Sequence, residues 1–191
     1  MGRKRYDASS VIAFVKSKAL ECADRRTAGQ SPAADLGPLF AMLIRPARQS
    51  DIPEMHRVRM CVRENVLRDP SAVTPEHTRE MLVSRGRGRG WVCEIDGRIV
   101  GFAVGDLRAS NVWALFVEPG YEGRGIGRQL HDAMLDWMFE SGAERIWLST
   151  DGGTRAERFY RRAGWQAAGM QPNGELRFEM SGERWASRCQ E

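Results

Sequence analysis

The segment from Val112 to Met134 constrains this chain more than any other, because a strand, a glycine-rich loop and a helix follow one another in it. Apolar and aromatic residues fill 112–117, Pro119 stops the strand, and glycines then recur through residue 127. Apolar residues return with helical spacing at Ile126, Leu130 and Met134. Glycine lets a backbone approach a ligand closely, and the N–H groups at a helix start favour anions. The segment therefore predicts a site for a phosphate or a pyrophosphate.

The spacing of these glycines separates the loop from two other phosphate-binding loops. It follows G-x-G-x-G, whereas the dinucleotide fingerprint is G-x-G-x-x-G and the Walker loop ends in G-K-[ST]. The run from Glu122 to Gly127 resembles instead the acyl-CoA-binding motif Q/R-x-x-G-x-G/A of the GCN5-related N-acetyltransferases. Glu122 departs from this motif, because relatives usually carry Gln or Arg there. A carboxylate repels a pyrophosphate, so we expect its side chain to point away.

Composition predicts one globular domain with no metal site. The chain has 191 residues, 42% of them hydrophobic and 28% charged, which suffices for one substantial core. Its net charge of +4 suits an anionic ligand and does not by itself argue for nucleic acid. The four cysteines lie far apart without a CxxC pair, which argues against disulfides and zinc and favours the cytoplasm. No apolar stretch has the length of a membrane span, so no membrane partner is expected.

Periodicity predicts the element order β-α-α-β-β-β-α-β-α-β-β over residues 42–183. Residues 1–41 lack this pattern and are predicted to be a weakly ordered extension, or to lie upstream of the native start. Residues 184–191 are predicted to be a C-terminal tail. Asp51 is predicted to cap the first helix, which should end at Asp69. Residues 85–90, Arg-Gly-Arg-Gly-Arg-Gly, are predicted to be a solvated connection.

This order resembles the fold of the GCN5-related N-acetyltransferases over about residues 42–183. The resemblance implies an α/β fold with a mixed, mostly antiparallel sheet, splayed central strands and flanking helices. A second stretch, 150–165, looks like the family's A-x-x-F-Y-x-x-x-G-F/W helix. It places Ala156, Phe159 and Tyr160 on the family pattern. Gly153 stands where relatives often carry an asparagine that contacts CoA.

The resemblance implies an N-acetyltransferase that moves an acetyl group from acetyl-CoA to a primary amine by direct attack in a ternary complex. Its cofactor contacts would be main-chain groups in two stretches. One stretch, on the strand, meets the pantetheine and acetyl groups, and the other cradles the pyrophosphate. The residues concerned are Leu115, Phe116 and Val117 on the strand, and Gly123, Arg124, Gly125, Ile126, Gly127 and Arg128 in the cradle.

Proton transfer needs an acid for the leaving thiolate and a route for the amine proton. Tyr160 is the predicted general acid, because its phenol has an ordinary pKa of about 10 and stays protonated at neutral pH. The alternative is that Tyr160 is a buried residue that only fills the apolar stripe of its helix. Glu64 is predicted to hold the amine or act as the base, with Asn65 beside it, and water is an alternative base. Other acids considered are Glu94 and Asp106, whereas Glu118 is expected to be exposed. The three histidines, at positions 56, 77 and 131, are expected to lie on helix surfaces.

Two other classes of function stay open at this point. One is a non-catalytic acyl-CoA sensor, which the glycine loop and Tyr160 argue against. The other is a nucleic-acid-associated protein, suggested by the basic start of the chain and by residues 85–90. The amine acceptor, a small molecule or a peptide, is not specified by the sequence, and a homodimer is left open.

Overall fold

The computed structural model describes residues 42–62, 74–83 and 88–188, whose strands form one sheet. The strands are β1 (Met42–Pro46), β2 (Gly88–Ile95), β3 (Arg98–Asp106), β4 (Asn111–Val117), β5 (Arg145–Thr150), β6 (Gln166–Met170) and β7 (Leu176–Ser181). The helices are α1 (Ile52–Cys61), α2 (Pro75–Val83), α3 (Ile126–Glu140), α4 (Arg155–Arg162) and α5 (Gly182–Ser187). A 3-10 turn, Gln49–Asp51, precedes α1.

The sheet has the strand order β1-β2-β3-β4-β5-β7-β6. Its neighbours pair antiparallel except β4 and β5, which run parallel. The predicted fold class is therefore confirmed. The sequence did not predict the short helix α5 after β7. The first helix does not continue to Asp69 as predicted: it ends at Cys61, because Val62 takes an extended backbone conformation at its C-cap. The extension 1–41 falls outside the described residues.

Helices cover the sheet on both faces, and each face has its own core. On one face α3 packs its fully buried stripe mainly against β2, β3 and β4, and its core continues onto β5 and β7. The buried residues there include Leu130, Met134, Leu135, Met138, Ile146, Leu148, Phe178 and Met180. On the other face, α1 and α2 cover the first half of the sheet. That smaller core includes Met55, Val58, Met81, Val92, Phe102 and Val104.

Asp51 does not cap α1 as predicted. Its carboxylate accepts hydrogen bonds from the Arg45 guanidinium and from the main-chain N–H of Arg48, both at 2.7 Å, and makes no cap bond to the helix. Arg45 also binds Glu94 at 3.0 Å. The predicted cap is wrong because Arg45, on the preceding strand β1, binds the carboxylate that would otherwise cap the helix.

The predicted solvated connection at 85–90 is also wrong for its last three residues, which belong to β2. A Cβ at Gly88 would lie 2.5 Å from the Met81 carbonyl oxygen, and one at Gly90 would lie 2.6 Å from a Leu82 methyl carbon. These glycines therefore let α2 pack closely against β2. Glycine is needed at these two positions for the packing of a helix on a strand. The alternation of arginine and glycine in the sequence does not reveal that packing.

His131 is not a surface histidine, because its side chain is fully buried in α3. Trp165 donates its indole N–H to Nε2 at 2.9 Å, and Nδ1 lies 2.7 Å from a carboxylate oxygen of Asp132. These partners fix the tautomer that carries its proton on Nδ1. Burial lowers the pKa of His131 and outweighs the opposing effect of Asp132, so the ring is neutral.

We expect Trp165→Phe to destabilise the fold more than Trp185→Phe. Both changes delete an indole N–H, but the first leaves His131 Nε2 buried without a donor. Trp185 donates to Asp136 at 2.9 Å, and this exposed carboxylate can bind water instead. Leaving a buried acceptor unsatisfied costs about 1–3 kcal/mol. Urea unfolding of both variants measures the difference; equal losses would show that the buried hydrogen bond contributes nothing specific.

Candidate active site

The sheet opens between β4 and β5. In the described chain the ladder between these strands holds one residue pair, Asn111 with Trp147. The N–H of Trp147 donates to the Ser110 carbonyl at 2.9 Å, and the Asn111 side chain donates to the Trp147 carbonyl at 3.2 Å. Beyond this point the two strands share no further pair among the described residues, so their carboxyl ends border a wedge-shaped gap. The predicted splay of the central strands lies here.

Two main-chain N–H groups of β4 face this gap. Glu118 donates its N–H to the Val100 carbonyl at 2.8 Å, which fixes the phase of the antiparallel ladder with β3. In such a ladder alternate N–H groups point to opposite sides. The N–H of Phe116 therefore faces β3, whereas those of Leu115 and Val117 face the gap. Of the three strand residues predicted to meet the cofactor, two offer donors there.

The glycine loop leads from β4 into α3 at the mouth of the gap. Gly120, Gly123 and Gly125 have φ angles of 91°, 75° and 80°, in the left-handed region that favours glycine. Gly125 is the N-cap of α3, and no side-chain cap bond satisfies the N–H groups of the first turn. These free donors and the helix dipole favour an anion. A Cβ at Gly123 would meet no described atom within 4 Å, so the outer surface of the loop is open.

The side chains of the predicted cradle are engaged elsewhere, which leaves the backbone to meet a ligand. Ile126 is buried in the core. Arg124 donates to the Gly120 carbonyl at 3.3 Å and lies over the Tyr121 ring at 5.1 Å. Arg128 pairs with Asp132, one turn along the helix, at 3.1 Å. The six predicted residues thus form one continuous turn of loop and helix.

Glu122 is held by donors from both sides of the gap. Its carboxylate accepts the Gly120 N–H at 2.6 Å and a guanidinium N–H of Arg155, in the first turn of α4, at 2.7 Å. Partial burial alone would raise its pKa. The N–H groups of Glu122 and Gly120 and the charge of Arg155 outweigh that effect, so the pKa of Glu122 lies below its ordinary value. The residue is therefore a carboxylate, at a position where the family motif has Gln or Arg.

Tyr160 lies in an aromatic cluster on the same face of the sheet as α3. Its ring centroid is 5.2 Å from that of Phe159, 5.7 Å from Trp165 and 6.4 Å from Phe178. Burial raises the pKa of the phenol, and no hydrogen bond from a described residue opposes this. The hydroxyl is thus a protonated donor at neutral pH. Both sequence interpretations, acid and packing residue, agree with this position.

Glu118, expected to be exposed, is buried at the end of β4. Its carboxylate binds Arg98 at 2.5 Å and Arg57 at 3.0 Å. Burial would raise the pKa of Glu118, but the two arginines outweigh it and hold the pKa below the ordinary range. A carboxylate so stabilised is a poor base. Sequence reasoning missed this cluster because its three members come from α1, β3 and the loop after β4.

The other acids considered as bases fall in different places. Asp106 pairs with Asn111 at the joined end of the gap, and its carboxylate accepts two N–H groups of the following turn at 2.9 and 3.1 Å. Glu94 is bound to Arg45 at the β1–β2 edge of the sheet, and β3 separates this edge from β4 and the gap. Glu64 and Asn65 lie outside the described residues. The base therefore stays a prediction.

One acid near the open end of β5 was not predicted. Glu175, before β7, accepts a hydrogen bond from the Ser149 hydroxyl at 2.5 Å. Ser149 alternates with the buried Leu148 and Thr150, so it faces away from the core shared by α3 and α4. The partners are 26 positions apart in sequence, which explains why no local motif revealed them.

Comparison with known proteins places this geometry in a family. The model of the acetyltransferase (GNAT) family matches residues 53–165, from α1 to the end of the Tyr160 segment. An uncharacterized N-acetyltransferase of Mycobacterium bovis is 33% identical over 116 residues, which cover 52% of this chain and 74% of the relative. The chain belongs to the GNAT family of acetyltransferases. The predictions of an acetyltransferase enzyme and of the GNAT fold are confirmed.

Two further similarities bear on the GNAT site. A streptothricin acetyltransferase of Streptomyces lavendulae is 36% identical over 80 residues, covering 39% of this chain and 42% of that protein. The fold resembles an N-acetyltransferase from Thermoplasma acidophilum, solved in complex with coenzyme A, with a TM-score of 0.65 at 15% identity. That match covers 74% of this chain and 99% of the other.

Two further expectations concern a metal site and a membrane span. Within residues 42–62, 74–83 and 88–188, no group of three His, Cys, Asp or Glu side chains could hold a metal ion. No helix in these same ranges is long and apolar enough to cross a membrane. The cytoplasmic location and the absence of a metal stay predictions.

Proposed function

We propose that this GNAT protein transfers the acetyl group of acetyl-CoA to a primary amine by direct attack in a ternary complex. The observation that carries the proposal is the gap between β4 and β5, with unpaired N–H donors along one wall and the glycine loop at its mouth. The gap suits an extended pantetheine arm, and the loop suits a pyrophosphate. The related fold solved with coenzyme A supports this donor.

The cofactor contacts follow from the order of these parts. The pyrophosphate would sit on the N–H groups of the cradle, from Gly123 to Arg128, where the dipole of α3 favours it. The pantetheine amides would then pair with the β4 N–H groups of Leu115 and Val117, as an added strand would. One of these N–H groups, or one nearer the start of β4, would donate to the thioester carbonyl.

The reaction then needs four events. The neutral amine attacks the thioester carbon, and a β4 N–H stabilises the charge that develops on oxygen. The carbon–sulfur bond breaks, and the Tyr160 hydroxyl donates its proton to the leaving thiolate. The amine nitrogen loses a proton, to water or to a carboxylate base such as that of Glu64. The Tyr160 phenolate recovers its proton from solvent, so the products are an amide and CoA.

The acceptor is proposed to be a small molecule or a peptide with a primary amine. The similarity to streptothricin acetyltransferase supports a small-molecule amine. Glu64 and Asn65 remain the sequence-based candidates for binding it. Glu175, which accepts a hydrogen bond from Ser149, is a further carboxylate that can attract a cationic amine.

We expect acetyl-CoA to stabilise the protein and to release CoA when the correct amine is added. A ligand at a hundredfold excess over its dissociation constant stabilises the native state by about 2.7 kcal/mol. Thermal unfolding with and without acetyl-CoA measures the first effect, and a CoA-release assay across an amine library measures the second. Absence of any thermal shift would contradict the cofactor. A shift without CoA release from any amine would favour an acyl-CoA sensor.

A further inference from the structure

The Glu122 carboxylate accepts hydrogen bonds from the same kinds of donor that would bind a phosphate. Its two oxygens accept main-chain N–H groups of the glycine loop, from Gly120 and from Glu122 itself, and one guanidinium N–H, from Arg155. A phosphate oxygen in this loop would be bound by the same two types of donor. The carboxylate therefore stands in the structure as an internal anion beside the cradle.

The position of this pair makes it relevant to ligand entry. Glu122 belongs to the loop after β4, and Arg155 begins the helix after β5, so the pair joins the two walls at the mouth of the gap. The pair is partly exposed, with 34% of the Glu122 side chain and 57% of the Arg155 side chain accessible. Exposed ion pairs contribute little to stability, so a multiply charged anion can replace one partner.

We propose that Glu122 is an internal competitor of the coenzyme phosphates: it holds Arg155 and the Gly120 N–H in the free protein and yields them to a phosphate when CoA binds. This inference rests on the proposed function, because it takes the glycine loop as the pyrophosphate site. Arg155 supplies the cation that the motif position itself lacks. Glu122 weakens coenzyme affinity, which lets the product CoA leave more readily.

Calorimetric titration of CoA into four proteins tests this inference. Glu122→Gln keeps the shape and a carbonyl oxygen for Gly120 but loses the charge that competes with phosphate. Its Kd for CoA should fall at least about threefold, and Arg155→Gln should raise the Kd by a similar factor. Glu179→Gln is the control, because Glu179 is likewise a carboxylate held in ion pairs, with Arg145 on β5 and Arg177 on β7. Its Kd should equal that of the natural protein.

Each other outcome of the titrations overturns the inference in a recognisable way. An unchanged or raised Kd in Glu122→Gln means that the carboxylate does not compete. An unchanged Kd in Arg155→Gln means that the guanidinium takes no part. If the natural protein itself does not bind CoA, the proposed function is contradicted together with this inference. If it binds CoA and the Kd is unchanged in Glu122→Gln and Arg155→Gln, only this inference is contradicted.

A measurement on the unmodified sequence provides an independent test. Inorganic pyrophosphate added to 15N-labelled protein should shift the amide resonance of Gly120 together with those of Gly125 and Gly127. The expected shift at Gly120 reports the loss of its bond to Glu122. Shifts at Gly125 and Gly127 without one at Gly120 would show that Glu122 keeps its donors, and would overturn the exchange.

Discussion

Gly125→Val is expected to abolish the binding of acetyl-CoA. The residue has a φ of 80° at the N-cap of α3, a conformation that costs an L residue about 1–2 kcal/mol and a β-branched residue more. The valine would either distort the cradle or place its methyl groups on the loop surface where the phosphate must approach. Titration calorimetry with acetyl-CoA and CoA measures the loss.

Gly142→Val is the matched control for this prediction. Gly142 has a φ of 96°, has no described atom within 4 Å of a Cβ, and follows the other end of the same helix. The two variants should therefore lose similar stability from backbone strain, and only Gly125→Val should lose the ligand. Normal coenzyme binding by folded Gly125→Val would show that the loop is not the cradle. Equal loss of binding in both variants would point to a general defect of α3.

Tyr160→Phe is expected to lower kcat at least about tenfold, since general acid catalysis typically contributes 10²–10⁴-fold and water can replace part of it. The phenylalanine ring keeps the contacts with Phe159, Trp165 and Phe178, so the fold should survive. Only the proton donor is removed. The rate should be measured in single-turnover experiments, where the chemical step limits it.

The coenzyme affinity of Tyr160→Phe separates the two roles of the tyrosine. A modest rise in Kd agrees with a hydroxyl that also contacts the CoA sulfur. A kcat equal to that of the natural protein would reduce Tyr160 to a packing residue, and solvent would then protonate the thiolate. A large loss of thermal stability would instead show that the hydroxyl supports the aromatic cluster.

The parts of the site that could be predicted are those encoded in one continuous stretch. The glycine loop and the start of α3 lie within about ten residues, and Thr154 caps α4 by accepting the N–H of Glu157, three residues along the chain. Turn glycines, caps and helical stripes depend on near neighbours along the chain. Local pattern therefore gave these elements their correct type and nearly their correct bounds.

The parts that could not be predicted depend on residues that only the fold brings together. Arg155 lies 33 residues after Glu122, and Arg57 lies on a helix far from Glu118 in sequence. The bulge that shifts the β3–β4 register between Val104 and Gly105 leaves no mark in the alternation of apolar residues. The spacing of apolar residues along the sequence shows which face of a helix or strand is apolar. It does not show which charged side chains from different elements form ion pairs in the folded protein.

The single residue pair between β4 and β5 has a mechanical consequence. Main-chain hydrogen bonds join the strands within each half of the sheet, but the two halves are held together mainly by the side chains of one shared buried core. Packed side chains can slide by fractions of an ångström at little cost, whereas a hydrogen-bonded ladder cannot. The joint between the two halves therefore resists relative movement less than the ladders within each half do. A bound pantetheine arm would act as the missing strand and make the sheet rigid only while the thioester is in place.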